Sequence, residues 1–296
     1  MEIRVLRYFL TVAREESITK ASEVLHITQP TLSRQLAQME EEIGVKLFHR
    51  GTRNITLTNE GILLRRRAEE ILQLVDKTEK ELVEQQEQIE GKITLGCGEI
   101  ASVQLLPNLF KTFHEQYPRV SFDLFTATAD LVKEQMDKGL VDIGLLLEPI
   151  DIEKYDFIRL AIKEKWVVLM PPGDPLAGKA SVTAEDLSGL PLILPRRMKV
   201  QSELASWFGD YYGNLHVLFT SNLSTNGTIM VHHGLAYSLV VEGAVPFWDK
   251  SKVISRPLSP ELTATSVLAW KRGQPFSPAA TKFIQHIKCF LGMAKA

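Results

Sequence analysis

The stretch ITQPTLSRQL, residues 27–36, sets Gln29 four residues from Ser33 and Pro30 four residues from Arg34, with Thr31 beside them. On a helix these side chains share one face, and Leu32, Leu36, Met39 and Ile43 recur at three- and four-residue steps on the other. An amide, small hydroxyls, an apolar ring and a guanidinium are groups that read base edges and grip phosphates. Recognition helices present such groups from their first turn into a major groove. Pro30 suits a first turn, where its missing N–H would have no intrahelical partner. For an isolated helix, a plain solvated polar face is the competing reading.

The preceding elements decide between the two. Leu6, Phe9, Leu10 and Ala13 predict an amphipathic helix ending near Glu15 and Glu16. Ser17 is an N-cap for a short second helix with Ala21, Val24 and Leu25 inward, His26 and Ile27 make a turn, and Thr28 can cap the third helix. Helix-turn-helix spacing points the Gln29–Arg34 face outward. After Gly44, residues 45–50 and 54–58 flank Gly51-Thr52-Arg53 and predict a short hairpin, or wing, with Arg53 at its tip and Arg50 close by. Net charge is −2, but up to Arg67 there are eleven Lys and Arg against eight acidic residues, and the next stretch to Glu90 is acidic. A basic head on an acidic stalk suits a double-stranded DNA partner.

The set Ser17, Lys20, Ala21, Leu25, Thr28, Gln29, Pro30, Leu32, Ser33, Arg34, Glu40, Gly44, Leu47, Phe48, Arg50, Leu57 and Thr58 resembles the winged helix-turn-helix of LysR-type transcriptional regulators. Ser22 departs from it, where the family usually carries a second alanine. The resemblance implies that Gln29, Pro30, Thr31, Ser33 and Arg34 read an operator and that Arg53 contacts DNA from the wing.

From Thr58, which can cap a helix, a proline-free pattern runs to about Glu90. Leu64, Ala68, Ile71, Val75, Thr78 and Leu82, followed by Gln85 and Ile89, fall at alternating four- and three-residue steps. Such a seam needs a partner and predicts a homodimer through this helix. Packing on its own chain is the alternative.

Beyond residue 92, apolar strand-like runs at 93–97, 120–126, 141–147, 166–170, 192–194, 215–220, 236–241 and 265–270 alternate with helix-periodic segments. Parallel sheets covered by helices follow, in two subdomains with a cleft between them. This part resembles the family's effector-binding domain through Leu106-Pro107, Tyr117-Pro118, residues 139–143, Asp174-Pro175-Leu176 and residues 233–236. The expected organisation is an all-α winged helix-turn-helix at 1–58, a linker helix at 59–90 and an α/β effector domain at 91–296. The last comprises two Rossmann-like lobes, similar to bilobed periplasmic solute-binding proteins, at about 92–161 with 267–296 and at 162–266.

The resemblance further implies a small-molecule effector between the lobes, touching Glu99, Ile100, Ser102, Thr126, Thr128, Glu148, Arg196 and Ser202, and a tetramer built of two dimers. The family usually offers a serine or threonine hydroxyl where Ile100 stands, so an effector carboxylate is not expected there. Glu99 could instead meet a cationic or hydroxyl-bearing ligand or stay solvated, and Arg196, Arg197 and Lys199 could bind an anion from the opposite lobe or stand as an exposed basic triplet. An activator would also touch RNA polymerase.

Other chemistries lack support. Cys97 and Cys289 form no disulfide framework or metal spacing and read as two core cysteines of a cytoplasmic protein. His232 and His233 diverge on a helix, so no metal site is expected. No Gly-x-Ser-x-Gly, P-loop or dinucleotide fingerprint is present, and no cofactor or catalysis is expected. No run of about 18 apolar residues could span a membrane. The alternative function is a cytoplasmic small-molecule-binding protein or enzyme whose N-terminal domain serves only dimerisation.

Overall fold

The computed structural model describes residues 2–50, 55–83, 89–245 and 248–292, with Arg50 and residues 80–83 by backbone alone. The chain divides into two compact units, Met1–Val83 and Glu84–Ala296.

In the first unit α1 (Ile3–Glu15), α2 (Ile18–Val24) and α3 (Gln29–Ile43) enclose a core of Leu6, Phe9, Val12, Ala21, Leu32, Leu36 and Met39. Ser17 caps α2 by accepting the Lys20 N–H. Thr28 precedes α3 as expected, but its hydroxyl pairs with that of Thr31 at 2.8 Å and leaves the helix N–H groups alone. Gly44 ends α3 with φ at +81°, a conformation glycine adopts at no steric cost. Two expected core residues are exposed. Val24 is turned outward because α2 centres its inner face on Ile18, Ala21, Ser22 and Leu25, and Ile43 is the last residue of α3.

Strands β1 (Phe48–Arg50) and β2 (Ile55–Leu57) pair antiparallel, with Arg50 opposite Ile55. Arg53, at the expected wing tip, lies outside the described residues. Two buried polar groups fix this hairpin to the helices. Glu40 of α3, 3% exposed, accepts the Leu47 N–H at 2.8 Å and the Phe48 N–H at 3.3 Å and pairs with Lys46 at 3.1 Å. Thr58 donates to the Lys46 carbonyl at 2.7 Å and accepts the Gly61 N–H at 2.9 Å, capping α4 (Asn59–Val83).

The expected seam of α4 is corrected in its first half. Leu64 and Ala68 pack into the core of their own head, and Arg7 of α1 bonds Asp76 of α4 at 2.7 Å, so that side of the helix is already covered. Leu63, Ile71 and Leu74 are exposed instead, at 60%, 39% and 44%. Val75 is half-buried, Thr78 is exposed with its hydroxyl on the Leu74 carbonyl, and Leu82 lies in the last turn. Gln85 falls outside the described residues.

The second unit runs β3 (Gly91–Cys97), α5 (Leu106–Gln116), β4 (Val120–Thr126), α6 (Ala129–Asp137), β5 (Ile143–Leu147), β6 (Tyr155–Arg159), β7 (Glu164–Met170), α7 (Ala184–Leu187), β8 (Pro191–Pro195) and α8 (Met198–Phe208). It continues with β9 (His216–Ser221), α9 (Ser224–His232), β10 (Tyr237–Val241), β11 (Ile254–Pro257), β12 (Thr263–Ala264), β13 (Ser266–Lys271) and α10 (Pro278–Phe290). One sheet has the order β4-β3-β5-β13-β6, and the other β11-β7-β10-β8-β9 with β12 also on β7. The sheets are mixed where parallel ones were expected. Strands β3, β4 and β5 are mutually parallel, as are β8, β9 and β10, but β13 and β7 run antiparallel to their neighbours. Those are the strands by which the chain crosses to the second lobe and returns, so their direction is set by the crossing.

The hinge is made at the same place. Glu164, the first residue of β7, is fully buried and accepts the N–H groups of Ala101 and Ser102, at 2.7 and 2.9 Å, and the Ser102 hydroxyl at 2.7 Å. Since the single Ser102 proton goes to Glu164, Ser266 donates to Ser102 across 2.6 Å. Gly243 closes the contact from the second lobe. A Cβ there would lie 1.7 Å from the Ala101 nitrogen, so only glycine fits.

Glu40 gives the head a pH dependence. Burial opposes its charge, but the Leu47 N–H, Lys46 and the Phe48 N–H hold its pKa below the ordinary 4.5. Its stabilisation is therefore present above pH 4.5 and lost as pH falls through the lower folded value. Glu40→Gln is expected to cost about 1.5–3 kcal/mol at neutral pH and to flatten this acid limb, read by thermal unfolding across pH.

Candidate functional site

Two places in the chain can do recognition chemistry. The first is the start of α3. Gln29, Pro30 and Arg34 are exposed, Thr31 and Ser33 are half-buried, and the core residues of the helix face the other way. Arg34 makes no ion pair or hydrogen bond with any described residue. Most neighbouring cations are neutralised: Arg7 pairs with Asp76, Lys46 with Glu40, and Arg65, Arg66 and Arg67 with Glu69 and Glu70 one turn on. Up to Arg67, the described cationic side chains that pair with no described acid are Lys20 and Arg34. Nothing local in the sequence separates these two from the rest.

The second place is a cleft of about 100 Å³ between the lobes of the second unit. Of the residues expected to meet an effector, Glu99, Ile100 and Thr128 line it. Ser102 is fully buried at the hinge under Glu164. Thr126, Glu148, Arg196 and Ser202 are not part of the lining. Glu148 is held by Arg159 through bonds of 2.9 and 2.7 Å and by the Thr265 hydroxyl, and the Arg159 guanidinium keeps its carboxyl below the usual range. The Ser202 hydroxyl is turned back onto the Met198 carbonyl.

Two bridges cross the cleft, and both correct the reading of these side chains as solvated. Glu99, on the loop after β3, accepts the Ser224 N–H at 2.7 Å and the hydroxyls of Ser224 and Thr225, so a first-lobe carboxylate sits on the N-terminal turn of second-lobe α9. The arrangement is favourable because unpaired N–H groups give that helix end a positive potential. Arg197, just before α8, has a side chain only 8% exposed. It bonds Asp130 in the first turn of α6 at 3.0 and 3.3 Å, the Leu147 carbonyl at 3.1 Å and the Pro149 carbonyl at 2.8 Å. The remaining walls are mostly apolar, from Ile100, Leu147, Ile193, Leu194, Val200 and Leu239. Trp166 of β7 also lines the cleft, and its buried indole N–H has no acceptor among the described residues.

No cysteine or histidine is part of the cleft lining. Cys97 is buried at the end of β3, and burial pushes its thiol up to about 11, which keeps it protonated at neutral pH. Cys289, expected in the core, is exposed because it lies on the outer side of α10, opposite Ala280, Phe283, Ile284 and Ile287. Among the described residues no cluster of three or more His, Cys, Asp or Glu could hold a metal, and no helix is long and apolar enough to cross a membrane.

Comparison with known proteins agrees with this division. Residues 3–62 match the model of the bacterial regulatory helix-turn-helix protein, lysR family, and residues 86–291 match that of the LysR substrate binding domain. The Hca operon transcriptional activator HcaR of Escherichia coli is 28% identical, covering 96% of both chains. The uncharacterised regulator YybE of Bacillus subtilis is 29% identical over 97% of this chain and 98% of its own. Among solved structures, HinK, a LysR family transcriptional regulator from Pseudomonas aeruginosa, is 26% identical with a TM-score of 0.56, covering 100% of this chain and 99% of that one. CbnR, of the same family, shares the fold with a TM-score of 0.74 at 21% identity over the full length of both. A helix-turn-helix head followed by a two-lobed substrate-binding domain, matched over nearly the whole chain, makes this protein a member of the LysR family of DNA-binding transcriptional regulators.

Proposed function

We propose that two or more copies of this chain read a dyad operator through the first turn of α3 and the wing, and that a small molecule in the inter-lobe cleft controls how firmly they do so. The family consists of regulators rather than enzymes, and this chain acts without catalysis, in the cytoplasm. The observation that carries the reading is the outward face at the start of α3, where Gln29, Pro30 and Arg34 are exposed and Arg34 pairs with no described residue, backed from behind by Leu32, Leu36 and Met39. An exposed guanidinium without an acid partner is free to take a guanine edge or a phosphate. A CbnR complexed with target DNA is among the similar structures. Glu40 and Thr58 fix the chain entering β1 to the same framework, and we take Arg50 and Arg53 as further DNA contacts.

Self-association is supported by apolar side chains that stay exposed among the described residues. On α4 these are Leu63, Ile71 and Leu74, with Val75, Thr78 and Leu82 continuing the seam. In the second unit, edge strand β9 exposes Val217, Leu218 and Phe219 in succession, and edge strand β4 exposes Leu124. Exposed apolar edges of this kind invite pairing with another copy. Two separate surfaces would build a dimer and then a tetramer. An operator placed for activation would add RNA polymerase as a partner.

Arg34→Ala should weaken operator binding about 5- to 150-fold, from the ~1–3 kcal/mol of a bidentate base contact. Fluorescence anisotropy at physiological salt reads this, with thermal unfolding unchanged as the fold control. Affinity equal to wild type would reject the assignment, as would a log–log salt slope near zero where about −0.9 per neutralised phosphate is expected. Leu63→Asp combined with Leu74→Asp should lower the solution mass by sedimentation, and an unchanged mass would remove the α4 stripe from the interface.

A further inference from the structure

The cleft is narrow for a site that takes a small molecule. Its volume is about 100 Å³, against about 150 Å³ for an apolar cavity that holds one benzene ring. A ring-sized ligand fits between these walls only if the lobes part.

Parting them breaks bonds that the chain makes with itself. Glu99 of the first lobe accepts the Ser224 N–H at 2.7 Å and the hydroxyls of Ser224 and Thr225, all at the start of α9 in the second lobe. Arg197 of the second lobe reaches back to Asp130 and to the carbonyls of Leu147 and Pro149 in the first, across 2.8 to 3.3 Å, with its side chain only 8% exposed. Each bridge also settles a helix entrance. Glu99 lies on the first turn of α9, and Asp130, held by Arg197, is in the first turn of α6, where a carboxylate is favoured. The closed arrangement is therefore complete without any group from outside. A bilobed binder that closes around its ligand uses the ligand to join the lobes. Here side chains already join them.

The hinge does not depend on either bridge. Glu164 on the Ala101 and Ser102 N–H groups, with Gly243 against Ala101, holds the crossing strands together on its own. Releasing Glu99 and Arg197 leaves that contact in place as the pivot.

Resting on the reading of the cleft as the effector site, we propose that the second unit rests closed, latched by Glu99 and Arg197, and that an effector acts by breaking this latch and wedging the lobes apart. Glu99 is then a built-in occupant of the α9 entrance, against which a ligand competes. The charge of the ligand is left open, because α8 starts at the same wall with no side-chain cap and no acid in its first turn. A ligand shifts the lobes only by its differential affinity for the two arrangements, and a cleft too narrow for it when closed gives the open one that advantage.

The test reads each bridge from the side of the other, in the full-length protein. Arg197→Met leaves α9 untouched, and hydrogen exchange across residues 222–228, which include the Ser224 N–H, should speed up about 10- to 150-fold, the worth of a hydrogen bond to a charged group. Glu99→Ala leaves Arg197 untouched, and labelling of Arg197 by phenylglyoxal should rise by a similar factor, with exposed Arg196 beside it as the internal standard. Amides of β3 and β8 should stay protected in both variants, which separates lobe opening from unfolding. If Arg197→Met fails to fold, Glu99→Ala decides alone. Exchange at 222–228 and labelling of Arg197 both equal to wild type would overturn the latch, since the bridges would then be two local contacts. Operator affinity in the same samples separates the latch from the effector reading. Both variants should change it in the same direction, because both mimic the parted form. Opened lobes with operator affinity unchanged would keep the latch and remove its regulatory role.

Discussion

A carboxylate with no exposure to water, Glu164, sets the geometry of the second unit. It starts the strand that carries the chain into the second lobe and accepts two backbone N–H groups and one hydroxyl from the loop after β3 in the first. Ser266, where the chain has returned, completes the set through Ser102. A buried carboxyl deprived of such donors would cost several kcal/mol, so the three segments stay together whatever the lobes do above them. Both mixed sheets follow from this crossing, since β7 and β13 must run against the parallel strands they join. The cleft is the space the crossing leaves between the lobes. Its two bridges, Glu99 to α9 and Arg197 to α6, use opposite charges at opposite helix entrances, and Gly243 lets the backbones meet where they diverge.

The head repeats the same device on a smaller scale. Glu40 holds the first strand of the wing to α3, and Thr58 holds the chain before that strand to the start of α4. Recognition face, wing and linker are thus tied by buried polar groups rather than by apolar contact alone. Polar ties of this kind fix orientation because each has few acceptable geometries. A reading head needs that, since its side chains must meet base edges together.

The DNA-reading face was legible because its logic is local. Gln29, Ser33 and Arg34 share a face through helical spacing, and Ser17 and Gly44 mark helix ends by their own chemistry. Alternation of strands and helices likewise gave the two lobes. What the sequence could not show are partners far away along the chain. Arg197 looked like one of three exposed cations, yet Asp130 lies 67 positions away, and Glu99 finds its donors 125 and 126 positions on. The heptad pattern of α4 located an apolar side but not what covers it, so Leu64 and Ala68 were assigned to a partner when they serve their own head. Strand direction failed for the same reason: β7 and β13 look like any apolar run until the crossing is known.

The central claim is that paired heads read one dyad sequence through the exposed turn of α3. The most direct measurement is selection of genomic fragments by the purified full-length protein at physiological salt, followed by sequencing. Enrichment of a site with two inverted half-sites, their centres a helical turn or a multiple apart, is the predicted result. No enriched fragment, with or without a pool of metabolites, would contradict it.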